Sequence, residues 1–181
     1  MQSRLPLPDL EELNAQQCAI RDEIVRARGS IEGPLRAWLH SPELALCAER
    51  LGRFCRWGTV LSAAETEVVI LVVAAHHDCA IQQQLHEPLA RQAGLSEATV
   101  AAVRSRLAPP LEDARLAALY QVATQLLATH RIEQPIFDNA RQVLGMQALV
   151  EALGIIGYYT FVASTCNAFE LTLAPDGSNA P

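Results

Sequence analysis

The sequence predicts an all-α protein: a single compact multi-helix domain of about eight helices. Half of the 181 residues are hydrophobic, enough to bury one good-sized core. Aromatic residues make up only 5%. Alanine and leucine are abundant, and long segments contain neither glycine nor proline, a balance that favours helices over strands.

Asp9, with Glu12 three residues on, reads as the opening of a first helix that runs to about Arg28 and stops at Gly29. "GSIEGP" is a loop, so residues 1–34 form an N-terminal helix and loop ahead of a domain over 35–171. After a short turn at 35–39, Ser41 and Pro42 supply an N-cap and a first-turn proline for a helix that ends at Gly58. Ser62 and Glu65 form a capping box. They open a helix whose run "VVILVVAA" has no polar face and must lie at the centre. "HHD" interrupts that run, and Asp78 is the expected N-cap of a helix over 79–93, kinked or restarted at Pro88. Gly94 suits a left-handed position closing that helix, with Leu95 as its apolar partner, and Ser96 caps a helix over 97–106. "APP" breaks the chain. Helices over about 111–129 and 135–144 then lead through Gly145 to a long final helix over about 147–171. The tail, 172–181, is expected to be disordered by composition.

The formal net charge of -6 provides no general field for phosphates or anionic lipid. This bears on "LARQAGLSEATVAAVRSRL", which looks like a helix-turn-helix. Its second helix presents Glu97, Ala98, Ala101 and Ala102, with Arg104 and Arg106 only at the end. A DNA reader needs long polar side chains there, so no nucleic-acid partner is expected. Five cysteines, without a C-x-x-C pair, argue against a disulfide framework or structural zinc. "MQSRLPLPDLEEL" has no apolar core behind its single arginine, so a cytoplasmic protein with reduced thiols is expected. "ALGIIGYYTFVASTCNAF" has the length of a membrane span. It carries Ser164, Thr165 and Asn167 between Glu151 and Glu170, however, which suits a core helix and implies no membrane partner. More apolar surface is present than short helices readily cover, so a homo-oligomer is expected.

The stretch "ETEVVILVVAAHHDCAIQQQLHEPLARQAGLS" resembles the signature of the carboxymuconolactone decarboxylase family, which includes the alkylhydroperoxidase D-like proteins. That signature has a glutamate on a buried helix, a second helix with a reactive face, then "HEP" and an "AGLS" corner. "VEALGIIGYYTFVASTCNAFEL" is similar to the closing helix of the longer members. The resemblance covers about residues 35–171 and implies an alkylhydroperoxidase D-like helical fold assembled as a trimer or hexamer. The redox branch of this family carries two cysteines on the second helix, with a glutamate before them and a histidine after. Here Cys79 matches the first cysteine, Glu67 the glutamate and His86 the histidine, while Gln82 stands at the second cysteine. A dithiol cycle therefore lacks the partner that forms and resolves its disulfide.

Positions 79, 82 and 86 are spaced i, i+3, i+7 and share one helical face. Glu67 lies in an apolar run where an unpaired carboxylate is costly, so it needs a partner, with His86 or His76 the natural candidates. A buried glutamate–histidine pair is a proton-transfer device in which the carboxylate favours the charged imidazole and fixes its tautomer. The catalytic candidates are Glu67, His86 and Cys79, the last a potential nucleophile at a helix N-terminus. Gln82, His76 and Tyr158 are the candidate substrate-binding residues, and Trp57, Tyr159 and Phe161 are pocket wall or core. No metal or cofactor is expected, because H-H-x8-H is not a ligand spacing. Each residue also has a structural reading: Glu67 on the helix dipole, His76 and His77 closing a helix. The resemblance implies a lyase doing acid–base chemistry on a small organic acid or lactone. Two alternatives stand beside it: a thiol-dependent peroxidase or antioxidant protein using Cys79 alone, and a non-catalytic helical oligomer.

Overall fold

A computed structural model describes residues 1–31 and 33–173. Among them are nine α-helices, a π-helical turn and no strand, with an isolated antiparallel bridge between Gln2 and Thr172. The expected tail lies outside the described residues from position 174 on. The described residues gather into two compact groups, one from Met1–Arg53 together with those from Ser164 on, the other Phe54–Ala163.

In the first group α1 (Ala15–Arg28) and α2 (Pro34–Trp38) both pack on α3 (Pro42–Arg53). The first helix starts five residues later than a cap at Asp9 suggests. Asp9 accepts from Glu11 N in a local turn, while Asn14 and Gln17 make the reciprocal capping box that opens α1. An N-cap needs the following residues to be helical, and the prolines at 6 and 8 hold the chain before Asp9 extended. Gly29 closes α1 at φ 84°, as glycine does without strain. Trp38 Nε1 donates to Thr165 Oγ1 at 3.0 Å, satisfying both buried polar groups.

In the second group α4 (Ala63–His76) is the hub, packing against α5 (Ala80–Gln92), α6 (Glu97–Arg104), α7 (Ala114–Thr129) and the π-turn Phe54–Gly58. The Ser62–Glu65 capping box sets its start, and every residue from Glu65 to Ala75 is buried. Each fully buried valine or isoleucine contributes about 1.5–3 kcal/mol, so this segment anchors the group. Glu65 near its start is held by Arg115 of α7. Burial alone would raise the Glu65 pKa, but hydrogen bonds from Arg115 and Ser62 bring it below the usual value.

Asp78 is not the cap of α5. It takes the left-handed conformation at φ 50° and pairs with Arg106, and Cys79 becomes the N-cap residue instead. A residue at positive φ turns the chain too sharply for its own side chain to reach the next helix's N–H groups. Pro88 does not divide α5, because the carbonyl it leaves unbonded, on Gln84, belongs to an exposed residue that water can serve. Gly94 at φ 101° and the Ser96 cap on Thr99 N then turn the chain into α6. Asp113 caps α7 three residues after the sequence-based start, α8 (Gln134–Leu144) follows, and α9 spans Met146–Ala168.

Candidate active site

The sequence α4–corner–α5 folds back on itself, so facing residues meet in rungs. Cys79 N donates to Ala74 O at 2.9 Å, Gln82 Nε2 donates to Ile70 O at 3.4 Å, and His86 Nδ1 lies 2.8 Å from Glu67 Oε2. Successive rungs are about one helical turn, or ~5.4 Å, apart. Glu67, Gln82 and His86 are all buried.

The Glu67–His86 rung is closed by Arg56, a residue to which nothing in the sequence draws attention. Its Nη1 lies 3.1 Å from both Glu67 Oε1 and His86 Nδ1. The π-turn supplies it: an extra residue per turn shifts the register at the end of α3, a device common at functional sites. Arg56 only donates, and a ring nitrogen either donates or accepts. Both oxygens of Glu67 are satisfied when Nδ1 carries the imidazole proton and donates to Oε2 while Arg56 donates to Oε1. Nε2 then keeps the lone pair. Tyr159 completes the cluster, its ring edge-on to His86 at 5.2 Å between centroids and its hydroxyl within the influence of the Arg56 charge. Burial raises its pKa, so the phenol stays protonated.

The sequence leads to an imidazole with raised proton affinity. The structure reverses that direction: burial is the largest influence and, with the Arg56 charge, outweighs the Glu67 contact, so the His86 pKa falls below its ordinary 6.5. His86 is a neutral base at neutral pH.

The other expected site residues are placed as follows. Tyr158 is buried, edge-on to Tyr159 at 5.2 Å. Cys79 is buried at the α5 N-terminus, about two turns or ~10 Å from His86, too far for direct proton exchange. His76 is not brought to this cluster. It sits at the exposed end of α4, about 13 Å along the axis from Glu67. There it lines a separate cleft of about 190 Å³ with Val72, Val103, Arg106, Tyr120 and Leu127. Trp57 is largely exposed, with the Arg56 guanidinium 5.7 Å from its ring. Cys55 in the π-turn is buried, which pushes its thiol up to about 11 and leaves it unreactive. Among the described residues no group of histidine, cysteine or carboxylate side chains is arranged to hold a metal ion.

Residues 42–125 match the model of the carboxymuconolactone decarboxylase family. No curated protein matches the chain. Among solved structures, the fold is similar to that of an alkylhydroperoxidase core, an uncharacterized peroxidase-related protein from Ralstonia eutropha JMP134. The TM-score is 0.78 at 16% identity, over 96% of this chain and 93% of that one. A peroxidase-related protein from Silicibacter sp. TM1040 gives 0.78 at 18% identity over the same shares, 96% and 93%. A debrominase bound to 2,3,4-tribromopyrrole gives 0.76 at 11% identity, over 97% of this chain and 94% of that one. The family match and the structural neighbours point the same way: residues 42–125 are similar to the carboxymuconolactone decarboxylase family, and the helical fold is similar to that of alkylhydroperoxidase D-like proteins.

Proposed function

We propose that the protein is a lyase that carries out acid–base chemistry, a decarboxylation or a related step, on a small organic acid or lactone. The observation that carries this reading is the buried Glu67–His86 contact at 2.8 Å closed by Arg56. Glu67 fixes the tautomer, Nε2 of the neutral imidazole takes a proton from the substrate, and the imidazolium so formed returns that proton to the enolate left by lost carbon dioxide. The positive charge of Arg56 and the protonated hydroxyl of Tyr159 favour an anionic substrate and its developing oxyanion. The structural neighbours include proteins described as peroxidase-related and a debrominase. Thiol chemistry of a peroxidase kind would fall to Cys79 without a second cysteine in reach on α5, and Gln82 cannot form a disulfide with it.

The same reading takes the protein to act in the cytoplasm as a homo-oligomer, without nucleic acid or membrane. None of the five cysteines is joined in a disulfide. Arg104 and Arg106 are engaged by Glu87 and Asp78 rather than offered to phosphates. α9 is long and apolar enough to span a bilayer, yet its most apolar stretch is just over half buried. The test is a panel of lactones and aromatic-pathway acids read by carbon dioxide release. Glu67→Gln and His86→Ala should each lower the rate about 10²–10⁴-fold, the usual worth of a positioned proton transfer. Since the two act as one unit, the double variant should be little slower than either. Full activity in either folded single variant, or turnover abolished by Cys79→Ser alone, removes the reading.

A further inference from the structure

Within the α4–α5 ladder, Gln82 is a polar side chain whose bonding is incomplete. It is 2% exposed, its Nε2 donates to Ile70 O, and its Oε1 is shut off from solvent with no partner. Ile70 fixes which end is which: swapping the amide would set two oxygens against each other, so the nitrogen faces the carbonyl and the oxygen faces away from it. A leucine or methionine of similar size would fill the space without leaving an acceptor unsatisfied. A buried acceptor of this kind in a candidate active site points to a ligand that supplies the missing donor.

We propose that Gln82 Oε1 is a specificity determinant that accepts a hydrogen bond from a hydroxyl or N–H group of the substrate. Gln82 lies one rung, about 5.4 Å along the axis, from His86. The substrate donor therefore sits about that far from the atom whose proton His86 handles. The inference rests on the acid–base reading and narrows it: the substrate is a small acid or lactone carrying a hydroxyl or N–H, not its deoxy counterpart. A site with a buried acceptor rejects a ligand lacking the donor because the acceptor is then left unpaired.

The test is calorimetric titration of the full chain with paired probes, para-hydroxybenzoate against benzoate and lactate against propionate. The wild type, Gln82→Leu, Gln82→Met and Glu67→Gln are compared. The wild type should bind the hydroxylated member of at least one pair about tenfold or more tighter. Both Gln82 variants should lose that preference by weakening only the hydroxylated probe, with melting temperature level or raised. Equal affinities within each pair, no binding by any probe, or a preference that survives in a folded Gln82 variant overturns the inference. A lower melting temperature in both variants with the preference intact assigns the amide to the fold instead. Glu67→Gln keeps the binding preference if the donor contact is real, so failure of the acid–base reading appears in turnover and failure of this one in affinity.

Discussion

Arg56 bears on the protonation of His86. Its positive charge is one of the influences that lower the imidazole pKa, after burial and against the pull of Glu67. Arg56→Met should therefore shift the acid limb of the pH–rate profile to higher pH, as well as slowing the reaction. A limb that stays in place or moves down contradicts the arrangement. The same shift is linked to stability. The folded imidazole titrates below the unfolded value of 6.5, so the unfolded chain binds more protons through that interval and stability falls as pH drops below about 6.5. Thermal melts between pH 7.5 and 5 should show a shallower loss in His86→Gln than in the wild type. An identical slope would assign the acid sensitivity elsewhere, with His77, also lowered by burial, the next group to test.

The capping elements are where sequence and structure agree best, since a cap is decided by residues three positions apart. Ser62 with Glu65 and Ser96 after Gly94 are legible for that reason, and Ser62→Ala should cost about 1 kcal/mol in chemical denaturation. No change in the unfolding midpoint would show the cap to be idle. Asp9 and Asp78 have the same local appearance yet fail, one because a better box follows at Asn14, the other because the corner needs a positive φ. At the site, Glu67 stands out as a carboxylate in an apolar run, but spacing alone leaves His86 and His76 as equal partners, and it is the family resemblance that singles out His86. Arg56 is one of fourteen arginines, and its place depends on a π-turn, an insertion with no sequence period to announce it. The fall in the His86 pKa was likewise hidden, because it depends on how deeply three elements enclose the ring.

At the scale of the molecule, apolar side chains remain uncovered in the Phe54–Ala163 group. Phe54, Trp57, Val60, Met146, Val150 and Leu153 are each more than a third exposed, and Val60 N donates to Glu151 of α9, which brings part of this set together. Light scattering at micromolar concentration should show an oligomer, with Trp57→Glu shifting it toward the monomer. A monomeric wild type would remove the expectation. The burial of α4 on every side has a last consequence, which belongs to synthesis. During translation "VVILVVAA" leaves the ribosome before α5, α6 and α7 exist to cover it, and a β-branched, uncharged run of this length is a template for aggregation. Glu65 and Glu67 on one flank and the histidines with Asp78 on the other are its natural gatekeepers. Replacing Glu67 with leucine rather than glutamine should therefore trade soluble yield for a drier core, a difference that expression of the two variants side by side would read.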